Sequence, residues 1–397
     1  MNHYQHAILV FILLLTYNNG LQSSLISKMQ LTHSKISPVF APSRLVVDEK
    51  GEKWRICAGV ALLNSQSQLL VGKQIGRSSN CWQCPQGGVN DAWNGKEAES
   101  IDEAACRALY EETGLLSNRH ALRLQIPPSN PVRYRTKGTA NWIEKAGFAG
   151  QELHWTLFRL VDARGDLNPS IICDLDGKGD EAAEFSHVKW QNIDDFISHV
   201  EHKKRENYDS LKRLIEENNV VKDWNDQISA LDFSGKWIRN PCLSSNLTEA
   251  LVFRGLQLEE AQKEVRKPYI QFWKRKTSDK KLWAVTSFES DGATPRRELE
   301  YKIGEWEEEY EGRTVVFGTG ELNPTVLKRR TMFVAEPDGC PIQIAHATVT
   351  ECPRGVEESR RYLKNGNLVL RRTLWPRDVS SKKTFSSTEV FIRDTNI

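Results

Sequence analysis

One chain carries two incompatible hydrophobic rhythms, and this limits what it can fold into. From about Lys53 to Glu217, short apolar runs such as ICAGVALL (56–63) and LHWTLFRLV (153–161) alternate with helical stretches. Glu97 to Glu112 is expected to be helical with Ala104, Ala105, Ala108 and Leu109 on its apolar face, and Asn192–His202 and Tyr208–Glu217 read as helices. From about Phe233 the helices nearly vanish and short strands repeat: KLWAVTSF, TMFVAEP, IQIAHATVTE, NLVLRRTLW, STEVFIR. Asp291-Gly292, Asp338-Gly339 and Asn365-Gly366 supply their turns, the last being a strong hairpin signal. An α/β unit over 48–217, a polar linker over 218–231 and an all-β unit over 232–397 follow. With 397 residues there is ample chain for two cores.

Lys plus Arg number 54 against 52 Asp plus Glu, so no global field recruits nucleic acid or an acidic membrane. Any phosphate chemistry must come from a local site. Eight cysteines in this length form no disulfide framework. Cys57, Cys106 and Cys173 read as buried packing, and Cys81-x-x-Cys84 lacks the second pair that a metal site would need. Residues 1–47 read as a presequence set apart from the fold. An apolar run, AILVFILLL (7–15), is too short to span a membrane but long enough for a signal core. A Ser-rich segment without a single Asp or Glu follows it as far as Val47. The expectation is entry into the secretory pathway or a plastid, with no transmembrane segment left in the mature chain.

The densest chemistry lies between Cys81 and Leu115. Two glycines after a strand let the backbone approach a ligand, and a helix carrying Glu99, Arg107, Glu111 and Glu112 then stops at Gly114. Carboxylates gathered at one helix end beside a glycine turn suit a hard cation, and Mg²⁺ keeps positions open for phosphate. A solvated acidic helix face with an i,i+4 Arg–Glu pair is the bland alternative. The order of residues resembles the Nudix box, G-x5-E-x7-R-E-U-x-E-E-x-G-U. Glu99, Arg107, Leu109, Glu111, Glu112, Gly114 and Leu115 match it. Two positions depart. Six extra residues separate Gly87 from Glu99, and the Glu expected after the Arg is Ala108. WQ-x-PQGG (82–88), GQELHWTLFRL (150–160), EFSHVKW (184–190) and the stretch HVEHKKRENYDSLKRL are similar to the RNA pyrophosphohydrolases and plant-type dinucleoside tetraphosphate hydrolases.

That resemblance implies a Nudix α/β/α sandwich acting as a pyrophosphohydrolase with Mg²⁺ or Mn²⁺. Glu111, Glu112, Glu184 and the carbonyl of Gly87 would hold the metal, with Arg107 orienting the carboxylates. Tyr134 and Gln151 would stand near the substrate, and Arg133, Arg135 and Lys137 would offer positive charge to a polyphosphate. His154 stands where those families have Lys. The implied substrate is a dinucleoside polyphosphate, a nucleoside triphosphate derivative or a 5′-triphosphate RNA end. With Ala108 in place of a metal ligand or general base, the enzyme would be slow. The competing expectation is a nucleotide sensor. The second unit, opening at FSGKW (233–237) with a capping-type Asn246-x-x-Glu249, two short helices and hairpin strands, resembles the fatty-acid-binding proteins of the calycin superfamily. Its barrel would hold an apolar molecule. Glu389 and Phe391 fall where that family has an acid-anchoring Arg and Tyr, with Arg393 two residues later, which points to a neutral rather than an acidic guest.

Overall fold

The computed structural model describes residues 42–394 except for 77–80, 129, 137–140, 180, 277–278, 280, 290, 311–324, 338–341, 353–354 and 378–383. The apolar run at 7–15, Lys137 and the Asp338-Gly339 turn lie outside the described residues. The first sheet uses β1 (Leu45–Val47), β2 (Lys53–Leu63), β3 (Leu69–Gln74), β4 (Trp82–Gln83), β5 (Gln86–Gly88), β6 (Ala121–Arg123), β7 (Val132–Arg135), β8 (Gly150–Leu160) and β9 (Phe185–Gln191). Its central order is β4-β3-β2-β8-β6, with β2 and β8 parallel and the remaining pairs antiparallel. β1 pairs with β2 from Leu45↔Arg55 to Val47↔Lys53, so the fold begins before residue 48 and its start overlaps the expected presequence.

Alternation along β2 decides what covers each face. Ile56, Ala58, Val60 and Leu62 point into a core shared with α1 (Ile101–Thr113), whose Ala104, Ala105, Ala108 and Leu109 are buried there as the periodicity requires. Cys57, Ala61 and Leu63 point the other way. They meet α3 (Ile193–His199) and α4 (His202–Glu217) through Phe196, Tyr208, Leu211 and Leu214. A five-residue helix, α2 (Asn141–Lys145), precedes β8. The expected α/β/α sandwich is therefore present. Helix α1 begins later than the pattern suggested. Ser100 and Glu103 form a reciprocal capping box, which leaves Glu97–Glu99 as an extended lead-in.

Residues 218–231, expected to link two units, contain a further helix, α5 (Val220–Ala230). Its Trp224 and Ile228 are buried with Val161 of the first unit and Phe333, Ala335 and Ile344 of the second. The two cores are thus joined through the helix. Buried Arg159 donates to the carbonyls of Asn64 (3.0 Å) and Val220 (3.1 Å) and stacks on Trp224 at 4.5 Å. This fixes α5 to β8.

The second unit runs β10 (Gly235–Arg239), α6 (Leu247–Phe253), α7 (Leu258–Arg266), then β11 (Ile270–Arg275), β12 (Trp283–Phe288), β13 (Pro295–Tyr301), β14 (Gly304–Tyr310), β15 (Thr325–Glu336), β16 (Gln343–Cys352), β17 (Gly355–Lys364), β18 (Asn367–Pro376) and β19 (Phe385–Arg393). All ten strands form one antiparallel sheet in the order β13-β12-β11-β10-β19-β18-β17-β16-β15-β14. Its edge strands, β13 and β14, are joined by only Lys302 and Ile303. Two residues reach about 10 Å at most, so the sheet must curl until its edges nearly meet. The expected all-β barrel with a short helix pair follows. Asn365 and Gly366 take φ of 53° and 77°, the double left-handed geometry of a type I′ hairpin between β17 and β18. Asn246 precedes α6 but its side chain does not cap the helix and donates instead to the Ser386 carbonyl at 3.2 Å. No helix among the described residues is long and apolar enough to cross a membrane.

Candidate active site

The glycine turn and α1 approach each other closely. A Cβ on Gly87 would stand 3.0 Å from the Cβ of Ala108, so glycine on one side and alanine on the other permit the contact. Arg107 ties the same elements together. Its guanidinium donates to Glu99 through Nε and Nη2 (both 2.8 Å), to Glu111 through Nη1 (2.8 Å) and to the Gly88 carbonyl (2.6 Å). Arg107 therefore bridges two acids and the backbone of the glycine turn. The six extra residues do not fill the site. Trp93-Asn94-Gly95-Lys96 closes into a tight turn, with Trp93 and Lys96 exchanging backbone bonds and Asn94 and Gly95 at φ 49° and 75°. Glu99 meanwhile returns to Asn90 through a backbone bond of 3.0 Å and a side-chain bond of 3.0 Å.

Glu112 is buried, with Oε1 accepting the Gln86 N–H at 3.3 Å and Oε2 receiving no hydrogen bond. Burial first, then the neighbouring Glu184 carboxyl, raises its pKa well above the ordinary carboxylate value. Glu184 is held at the start of β9 by Gln74 (3.3 Å) and Gln83 (3.2 Å), both donating to its Oε1. Burial also raises the Glu111 carboxyl, against the opposing pull of Arg107. The site thus brings Glu112 and Glu184 together beside a backbone turn, with Glu111 engaged by Arg107. Among the described residues no three acidic, His or Cys side chains converge into a ready cage. A buried carboxylate oxygen without a donor, next to a second carboxyl, still fits a divalent cation that takes one or two carboxylates and leaves the rest of its shell to water and phosphate.

Ladder phase sets which backbone groups of β5 face the acids. Val60 N–H bonds to Pro85 and Val89 N–H to Ile56, so the alternation of the β2–β5 ladder turns Gly87 toward its partner Ala58. Gln86, between them, faces away from β2, and its N–H already reaches Glu112. Its carbonyl lies on that same side of the strand.

Tyr134 and Gln151 are cross-strand partners whose side chains hydrogen-bond, and Gln86 Nε2 donates to the Tyr134 hydroxyl at 3.3 Å. Both connect to Glu112 through Gln86. Burial raises the Tyr134 pKa far above its usual value, so the phenol stays protonated and able to donate. Arg133 lies on the opposite face of β7. It donates to Glu152 at 2.7 Å and its guanidinium stands 5.6 Å from the Trp54 ring centre. Arg135 pairs with Glu52 at 2.6 Å, and His154 contacts Glu152 at 3.0 Å. Each of these side chains thus has an acidic partner. Cys81 Sγ donates to Gln74 Oε1, Cys84 is buried under Tyr208, and burial pushes the Cys57 thiol up to about 11. All three are buried, unlike the exposed thiol that redox or nucleophilic work needs.

Sequence reasoning passed over Gln74, Gln83 and Gln86 as site residues. Two of them stand inside the quoted WQ-x-PQGG motif, but their role depends on which strand each faces. Beside Gln83, Trp82 and Lys189 form part of the lining of a cavity of about 290 Å³ with Phe196, His199 and Val200. The Lys189 ammonium sits 4.3 Å from the Trp82 ring centre.

The NUDIX domain family model matches residues 53–214. An RNA pyrophosphohydrolase of Wolbachia pipientis subsp. Culex pipiens is 28% identical over 180 residues, covering 44% of this chain and 93% of its own length. Among solved structures, the fluorescent protein UnaG covers 41% of this chain and 97% of its own at 18% identity and a TM-score of 0.29. Human cRBP IV covers 41% and 98% at 11% identity and a TM-score of 0.28.

Proposed function

We propose, from the premise that residues 53–214 are a Nudix domain, that this chain is a hydrolase of phosphorus anhydrides acting on nucleoside polyphosphates, with Mg²⁺ or Mn²⁺ at Glu112 and Glu184. The observation that carries this reading is the pair itself: two carboxyls close together, one buried with an oxygen lacking any donor, beside the Gln86 carbonyl. A divalent cation bound there neutralises charge developing on non-bridging phosphoryl oxygens and lowers the pKa of the attacking water. The chain's own groups do the rest. Gln86 N–H fixes Glu112, Gln74 and Gln83 fix Glu184, and Arg107 keeps Glu111 and the Gly88 backbone in register. The Trp82 cavity offers an aromatic face next to Gln83, suited to a nucleobase.

The similarity to RNA pyrophosphohydrolases supports a 5′-triphosphate RNA end as substrate, with dinucleoside polyphosphates as the other members of the class. Turnover is expected to be slow, because position 108 holds a methyl where the family pattern has a carboxylate, and a general base contributes about 10²–10⁴-fold. That same residue favours a second reading, a nucleotide sensor that binds without hydrolysis. The test is product analysis with the full chain, Mg²⁺ and a panel of 5′-triphosphate RNA, bis-nucleoside polyphosphates and nucleoside triphosphates. Release of pyrophosphate or a nucleoside phosphate from at least one supports the hydrolase. Saturable binding of a nucleotide with no product supports the sensor.

A further inference from the structure

The barrel interior holds a cluster of aromatic rings and, adjoining it, a set of buried charges. Around Phe233, inward-facing rings fill the space. Phe233 lies 5.7 Å from Trp273 and 5.1 Å from Trp283, Trp273 stacks on Tyr301 at 5.6 Å, and Trp237 is buried beside them.

The part beneath α6 and α7 is lined by charge. Glu389, expected to repel an acid, is held between Arg239 (3.2 Å) and Arg372 (3.3 Å). Arg254, at the end of α6, pairs with Glu357 at 2.7 Å. Glu308 is shared by Arg329 (2.6 Å) and by Arg297, which reaches it across the unpaired edges β13 and β14. Three guanidiniums, of Arg239, Arg372 and Arg254, thus meet Glu389 and Glu357, and two more meet at Glu308. A sixth, Arg361, is buried with only neutral partners among the described residues: the Tyr301 hydroxyl (2.7 Å), Thr348 Oγ1 (3.3 Å) and the Ser359 carbonyl (3.3 Å). The Nε donors of Arg239, Arg254 and Arg372 are buried without an acceptor, and so are both ring nitrogens of His346. Glu389 is therefore already neutralised, and among the described residues Arg361 adds a buried positive charge with no carboxylate bonded to it. Arginine does not shed its proton to relieve this. Buried charge without a counter-charge is costly, so such a chamber favours a guest that restores balance.

We propose that this chamber binds a compact, multiply charged phosphate-class anion, of which pyrophosphate is the simplest probe, and not a fatty acid. Planar guanidiniums match phosphate oxygens through paired, charge-assisted bonds, and the spare Nε donors face such bonding unused. A fatty acid brings one carboxylate, whereas several buried guanidinium donors lack an acceptor among the described residues. The assignment is independent of the Nudix reading.

Pyrophosphate is titrated calorimetrically into the full chain in the presence of a chelator, in wild type, Glu112→Gln, Arg361→Gln and Arg361→Lys. Saturable binding is expected in wild type and unchanged in Glu112→Gln. It should weaken at least about tenfold in Arg361→Gln and recover in part in Arg361→Lys, as loss and return of one charged donor require. Trp273 and Tyr301 lie against Arg361, so a wild-type tryptophan fluorescence titration with chloride, phosphate and pyrophosphate gives a readout independent of any variant's folding. It should respond increasingly across that series. Absence of pyrophosphate binding in wild type overturns the proposal, as does binding lost in Glu112→Gln but kept in Arg361→Gln. Oleate binding tighter than pyrophosphate overturns it too.

Discussion

Gly87 and Ala108 govern how near α1 comes to β5, because a Cβ on the glycine would stand 3.0 Å from that of the alanine. Ala108 is buried in the core, one turn before Glu112 on the same helix face. A longer side chain there must pass beside Gly87 toward Gln86 and Glu112. Ala108→Glu must widen that contact, and a folded variant is expected to raise turnover by about 10–10³-fold, within the range of a general base. Helix propensity does not oppose the change, since Glu is nearly as good a helix former as Ala. Steady-state rates on whichever polyphosphate the wild type cleaves provide the check. No gain from a folded variant that still binds Mg²⁺ would mean that the site lacks more than one carboxylate. At this scale the sequence was legible where spacing alone sets contact, as for Glu99, Arg107 and Glu111. The Gln86 carbonyl was not legible, because it depends on ladder phase. Nor was the pairing of Arg133 with Glu152, which is a contact across strands.

At the scale of elements, local signals worked where they were chemically complete. Ser100 with Glu103 sets the start of α1, Gly114 at φ 71° sets its end, and Asn94-Gly95 turns the extra loop back on itself. The turn after β8 shows the opposite case. Asp162 is buried and accepts three bonds from Arg164, through the backbone N–H (3.1 Å), Nε (3.0 Å) and Nη2 (2.5 Å), while that guanidinium lies 3.9 Å from the ring centre of Trp375 in β18. Nothing local in that stretch announces a partner two hundred residues away. Burial pushes the Asp162 carboxyl up, but the bonds and charge of Arg164 outweigh it and hold it below the ordinary 3.8. A depressed carboxyl contributes stability above its ordinary pKa and loses it as pH falls through the lower folded value. Asp162→Asn is expected to cost about 1–3 kcal/mol at pH 7, the range for a charged hydrogen bond. The gap should narrow steadily below pH 3.8. Urea melts of both proteins at pH 7 and near pH 3 measure it. A gap of equal size at both would contradict the assignment.

Over the whole molecule, the two rhythms of the sequence announced two cores, and the structure joins them. Helix α5, polar enough to read as a linker, buries Trp224 and Ile228 between them. Arg330 reaches the carbonyls of Ala163 (3.3 Å) and Arg164 (3.0 Å), and Arg360 bonds to that of Val161. A helix whose apolar side is the single narrow stripe Val220, Trp224 and Ile228 reads as surface until its neighbours are known. The barrel's curl likewise came from the count and spacing of strands, whereas its charged chamber arises only once alternation brings Arg239, Glu357 and Arg372 to one side. The central claim remains the chemistry of the Glu112 and Glu184 pair. It is tested most directly by initial rates of hydrolysis of 5′-triphosphate RNA in Mg²⁺ by the full chain, wild type against Glu112→Gln. The glutamine keeps the size of the side chain and removes its charge, so binding of the RNA should persist while the rate falls at least about 10²-fold. Equal rates from the two proteins would contradict the account.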